Sequence, residues 1–276
     1  IARWASRRRT SYASREMSSP DEQEQTVSGH QLARRLARRL DGIVDGTQRA
    51  FLVREFCANN EPGDAVLGLK ALLEEAMRGN LRGGWVAVSI ALIAEDFPYD
   101  LLADLYRAAR SDTGDAMRLL FIGGNVSYKT ALEGEFGRSE LFENVSLGRR
   151  KSSARGLDRQ LLSRLVYDPE PSVVRILLGN PRLTEQHVMR LATRRPNRAA
   201  ALREIARDFK WIRRPALQRA LVLNPYTPVR ISVTLLPLLA PWEQHELTEN
   251  QSVHHLVRLG AKAFLELRGW EPPVFH

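Results

Sequence analysis

Two stretches set the architecture of this chain: Tyr167-Asp-Pro-Glu-Pro-Ser-Val-Val-Arg-Ile-Leu-Leu-Gly-Asn-Pro181, and Trp211-Ile-Arg-Arg-Pro-Ala-Leu-Gln-Arg-Ala-Leu-Val-Leu-Asn-Pro225. The second repeats the first at an offset of 44 residues. Pro171 pairs with Pro215, Arg175 with Arg219, Leu177 with Leu221, Asn180 with Asn224 and Pro181 with Pro225, while Tyr167 and Trp211 agree in kind. Outside these runs Leu165 pairs with Phe209 and Leu191 with Leu235. Proline is tolerated in the first turn of a helix, where its missing N–H has no partner to lose, so Pro171 and Pro215 read as helix starts. The Asn-Pro pairs read as stops, because the residue before a proline is pushed out of the α region. Thr184, and Thr227 with Pro228, then open a second helix in each copy.

A helical repeat of about 40–47 residues has the length of a HEAT or armadillo unit, and one such unit buries its apolar face only by stacking on neighbours. The fold expected is all-α: an α-solenoid of stacked antiparallel helix pairs, built from HEAT-like repeats of about 44 residues. Upstream, helical periodicity runs through Leu32, Leu36, Leu40 and Ile43, and helices are predicted near residues 48–58, 64–78, 85–95, 99–110 and 114–121. The chain divides into a disordered N-terminal segment (1–30, with Met17 read as the true start), an N-terminal helical region (31–121), a long loop or linker (122–156), C-terminal HEAT-like repeats (157–268) and a tail (269–276). The glycine-interrupted segment 122–156 is expected to be a long surface loop on one elongated body.

Further landmarks carry a resemblance. Leu147–Gly156, Asp168–Pro171, Asn180–Glu185 and Arg194–Pro196, with Trp211–Arg214 and Asn224–Pro228 in the second copy, resemble a group of bacterial HEAT-like helical-repeat (α-solenoid) proteins. The match is clear over the second half and rests on helical character alone in the first. It implies a fold and a bacterial cytoplasm, and it brings no catalytic residues with it.

Composition narrows the function classes. The 276 residues are 43% hydrophobic, enough for a sizeable core, and no apolar run reaches the length of a membrane span, so no membrane insertion is expected. Cys57 is the single cysteine, which excludes an internal disulfide and makes a reducing, cytoplasmic setting the default. No P-loop, dinucleotide fingerprint, nucleophile elbow or His-Glu-x-x-His motif is present, so no cofactor, metal or catalytic residue is assigned. His254 and His255, adjacent on a predicted helix, should point apart.

Charge is the most informative feature. The formal net charge is +9, and residues 190–230 alone hold eleven Lys or Arg residues against Glu204 and Asp208. Such a cluster suits an acidic protein surface or the phosphates of nucleic acid, and it is also what a solvated face looks like. The candidate binding residues are Arg194, Arg195, Arg198, Arg203, Arg207, Arg213 and Arg214, together with Trp211. The basic run Arg149, Arg150 and Lys151, in the expected loop, is added to them. The function expected is a non-enzymatic scaffold that binds an acidic protein partner through this surface, with the oligomeric state left open. The alternative is a nucleic-acid-binding solenoid using Arg190–Arg230, of which a DNA-glycosylase-like enzyme with Trp211, Trp242 and Asp208 would be a variant. An exposed Trp211 beside converging arginines would favour nucleic acid.

Overall fold

The computed structural model describes residues 20–109, 115–122, 126–131 and 145–272, with side chains from residue 28 onward. All the regular structure there is helical. The first run comprises α1 (Pro20–Asp41), α2 (Gly46–Asn59), α3 (Pro62–Met77), α4 (Arg82–Ile93), α5 (Tyr99–Ala108) and α6 (Asp115–Phe121). The second comprises α7 (Leu147–Arg155), α8 (Arg159–Leu165), α9 (Pro171–Leu178), α10 (Glu185–Thr193), α11 (Ala199–Arg207), α12 (Phe209–Ile212), α13 (Pro215–Leu223), α14 (Val229–Leu235), a 3-10 turn (Leu236–Leu238), α15 (Pro241–Thr248) and α16 (His255–Arg268). No strand occurs among the described residues, which carry only an isolated bridge between Ser127 and Pro228.

Two expectations are corrected. Residues 20–30, expected to be disordered, begin α1, and their Pro-Asp-Glu start is one that a helix N-terminus favours. The basic stretch expected within the 122–156 loop is a helix, α7. Ser146 caps it by accepting the Arg149 N–H, and Ala154 is its one buried residue, so the segment has no apolar period to read. Residues 1–19 (Met17 among them), 110–114, 123–125, 132–144 and 273–276 lie outside the described residues.

The two matched stretches of sequence bond alike. α9 and α13 each start on a proline and are each followed by a buried asparagine, which caps α13 and stands one residue past the Gly179 cap of α9. Asn180 Nδ2 donates to the carbonyls of Ala154 (2.8 Å) and Gly156 (2.7 Å) at the end of α7, while its Oδ1 accepts the Arg182 N–H. Asn224 does the same at the end of α10, donating to Ala192 (2.7 Å) and Arg194 (3.1 Å) and accepting from Tyr226. Each asparagine thereby satisfies carbonyls that a helix end leaves without partners. The paired arginines also match in role. Arg175 grips Glu204 of α11 with two bonds of 2.8 Å, and Arg219 reaches Glu243 (3.2 Å) and Glu246 (3.3 Å) of α15. Leu177 and Leu221 are buried alike, as are Val173 and Leu217.

α4 joins the two runs. Its residues from Gly84 to Ile93 are all buried, with α1, α2 and α3 packed on it from one run and α11, α12 and α14 from the other. Trp85, fully buried, donates its indole N–H to the Thr234 carbonyl (3.0 Å), which also accepts the Ser89 hydroxyl (3.0 Å). Arginines close the seam at both ends. Arg82 bonds the Leu238 carbonyl (2.7 Å), and Arg230 reaches that of Leu92 (3.4 Å). Arg268 bonds Met77 and Pro237 (both 2.8 Å), and burial, with Arg82 nearby, brings its pKa down to about 10.

A candidate anion-binding cleft

The basic residues of 190–230 do not form one stripe. Arg203 pairs with Glu95, just beyond α4, and Arg207 lies 3.9 Å from the same carboxylate. Arg194 donates to the Tyr167 carbonyl and Arg195 to that of Leu223 (2.7 Å). Arg198 is the half-buried N-cap residue of α11. Arg219 is committed to α15, and Arg230 to the end of α4. Arg194, Arg195, Arg203, Arg219 and Arg230 thus bond carbonyls and acids contributed by other parts of the chain, and so serve as joints between elements. Trp211 is buried at 3% exposure, with its indole N–H on the Leu178 carbonyl (2.9 Å), so the expected binding role gives way to packing. In the basic run, Arg149 is exposed on α7, Lys151 is half-buried, and Arg150 is drawn inward to Asp168 (2.6 Å). Asp168 has a buried side chain, and burial pushes its pKa up despite Arg150 and the Glu170 N–H.

What converges is a smaller group. The turn between α1 and α2 faces α12 across an open cleft of about 1020 Å3 lined by Val44–Thr47, Arg49, Arg207–Lys210, Arg213 and Arg214. Five cations therefore face two carboxylates, and both carboxylates are already engaged. Asp45 caps α2 by accepting the Gln48 N–H (2.8 Å), and Asp208 caps α12 by accepting those of Lys210 (3.0 Å) and Trp211 (3.2 Å). Burial raises the Asp208 pKa, and those two N–H bonds oppose the rise. Gly46 eases the approach: a Cβ there would sit 3.0 Å from the Phe209 Cβ, tighter than ordinary contact.

Phe209 lines the cleft between Asp208 and Lys210. At the matching position of the first copy stands Leu165, which is buried, whereas Phe209 is half-exposed. The guanidinium of Arg49 lies 4.3 Å from its ring centroid and that of Arg213 5.3 Å. Cations over an aromatic face are held by the ring quadrupole while keeping N–H donors available. Arg49 also donates Nε–H to the Ile43 carbonyl, which fixes its plane. Its pKa is lowered chiefly by burial and further by Arg213, with Asp41 acting against both. Lys210 projects over the Trp211 ring (4.4 Å) and is exposed, and Arg214 keeps a looser contact with Glu185 (3.6 Å). Arg207, Arg213 and Arg214 were legible as candidates; Arg49 and Lys210 were missed. The signal for Lys210 was its place in the same run. Arg49 comes from another part of the chain and could be found only by folding it.

Two further expectations meet the structure here. His254 is the N-cap of α16 rather than a residue within it, accepting the Leu256 N–H at Nδ1 (3.1 Å), so its ring lies 4.3 Å from that of His255 instead of pointing away. Trp242, half of the aromatic pair named for a glycosylase-like site, is exposed on α15 beside Arg219. Among the described residues no group of three or more His, Cys, Asp or Glu side chains is placed to hold a metal ion, and no helix is long and apolar enough to cross a membrane. Comparison of the chain with protein-family models, with characterised proteins and with solved structures finds no match.

Proposed function

We propose that this chain is a HEAT-like α-solenoid scaffold, of a bacterial cytoplasmic kind, that holds an acidic segment of a protein partner in the cleft between the α1–α2 turn and α12. The matched roles of Asn180 with Asn224 and of Arg175 with Arg219 support the repeat architecture. One observation carries the functional reading: of five cations lining the cleft, Arg207 and Arg214 also answer Glu95 and Glu185, which leaves Arg49, Lys210 and Arg213 beside two carboxylates already engaged at helix N-termini. Fixed guanidinium groups suit carboxylates, because their planar forks meet both oxygens at once. The reading favours a protein segment over nucleic acid for two reasons. Arg194, Arg195, Arg203, Arg219 and Arg230 are tied into joints rather than left to track a long backbone, and the cleft's aromatic ring is engaged by cations and offers a base little to stack on.

The test is fluorescence anisotropy with a labelled acidic hexapeptide across a salt series. Binding should weaken steeply with salt, as contacts between exposed charges do. Replacing Arg49, Lys210 and Arg213 together by alanine should weaken it about 30- to 140-fold, at roughly 0.7–1 kcal/mol per charge removed. No binding at low salt, or binding indifferent to those three changes, would remove the cleft from consideration.

A further inference from the structure

We infer that the exposed arginine face of α1 is a second anion subsite, and that the acidic segment is long enough to run from the cleft onto it. This rests on the reading just proposed and extends it from a pocket to a track. Arg34, Arg35 and Arg38 are all exposed and make no ion pair among the described residues, whereas the next arginine, Arg39, pairs with Glu55 at 2.9 Å. With Leu32 they line a shallow depression of about 430 Å3. Arg34 and Arg38 stand four residues apart and Arg35 and Arg38 three apart, so like charges neighbour one another on the helix surface, an arrangement that destabilises a helix unless an anion answers it.

The helix geometry aims this face at the cleft. Arg34, Arg38 and Asp41 lie at i, i+4 and i+7 and so share one stripe. Asp41 ends the helix two residues before Ile43, whose carbonyl accepts the Arg49 Nε–H, and Arg49 lines the cleft. At 1.5 Å of rise per residue, Arg34 sits about 10 Å along the axis from Asp41. A segment leaving the cleft past Arg49 therefore meets Arg38 and then Arg34. The partner that fits is an extended protein segment with two acidic clusters, one for the cleft and one for α1, and the intervening residues pass Asp41, where an acidic side chain would be repelled.

Length dependence tests this on the full chain. Hexaglutamate, about 20 Å when extended, can fill the cleft alone; a fourteen-residue polyglutamate, about 46 Å, can cover both subsites. The longer peptide should bind about tenfold more tightly, since the second contact forms within the complex. The triple change Arg34→Ala, Arg35→Ala, Arg38→Ala, on an exposed face where it relieves like-charge repulsion and should not lower the melting temperature, should abolish that gain and leave hexaglutamate binding as it was. Equal binding of the two lengths, or a gain that survives the triple change, overturns the α1 subsite while leaving the cleft intact. Binding of neither peptide overturns the cleft and this extension together. Tighter binding of a fourteen-nucleotide oligothymidine than of the long peptide, lost with the same three arginines, overturns the acidic peptide as occupant.

Discussion

Replacing Asn224 by alanine isolates what the repeat asparagine does. The side chain is 2% exposed and makes three bonds: to the carbonyls of Ala192 (2.7 Å) and Arg194 (3.1 Å) as donor, and from the Tyr226 N–H (3.0 Å) as acceptor. Alanine strands all three backbone groups. The Ala192 carbonyl is buried and pays the larger penalty, on the order of 2 kcal/mol, while the two at part-buried positions admit water and cost roughly 0.5–1 kcal/mol each. The loss should come to about 3 kcal/mol, or about 6–12 °C in melting temperature for a chain of this size. Asn224→Asp should be worse at neutral pH: it keeps the acceptor for Tyr226 but sets a carboxylate oxygen against two carbonyls. Urea titration followed by circular dichroism reads both, with the midpoint falling and the slope unchanged. Asn180→Ala removes the equivalent three bonds 44 residues earlier and should cost a similar amount. A shift below about 2 °C for Asn224→Ala would refute the argument, as would a gap above about 2 kcal/mol between the two alanine variants, because equivalent positions would then not be doing equivalent work.

Two other outcomes follow from the buried polar contacts. Arg150→Ala leaves the buried Asp168 carboxylate without its cation and should cost about 3 kcal/mol at neutral pH. Burial already raises the Asp168 pKa, so its ionised form is the one folding disfavours; the loss should shrink as pH falls through that raised pKa and the carboxyl takes up a proton, which unfolding curves at pH 7 and pH 4 would reveal. Trp85→Phe keeps most of the ring but orphans part of the acceptor capacity of the Thr234 carbonyl, and should cost about 1–2 kcal/mol in the same titration, with no effect on peptide binding in the cleft.

How much of this was legible in the chain depends on whether a signal was local. Pro171, Asn180, Pro215 and Asn224 act on their own backbone, so the starts and stops of α9 and α13 could be read directly. The role of the two asparagines could not, because Ala154 and Ala192 lie 26 and 32 residues before them. α7 escaped notice because a helix that buries only Ala154 shows no apolar stripe; Ser146, three residues before Arg149, was its one available sign. The run of arginines was misleading in a specific way. Counting charge along 190–230 treats each cation as available, yet Arg203 and Arg207 answer Glu95, more than a hundred residues away, and Arg230 answers a carbonyl of α4. The cleft arises where that run meets Arg49, which nothing near Phe209 in the chain could announce.

The placement of α4 has a consequence for how the protein is made. Trp85 and Ser89 find their acceptor in Thr234, 149 and 145 residues downstream, and the rest of the apolar surface from Val86 to Ile93 is covered in part by α11, α12 and α14. At about 5–20 residues per second of synthesis, the ribosome delivers Thr234 some 7–30 s after Trp85. For that interval α4, apolar from Trp85 to Ile93 but for Ser89, is covered on a nascent protein only by its neighbours in the first run, and exposed apolar surface of that kind is what makes a partly made chain prone to aggregate.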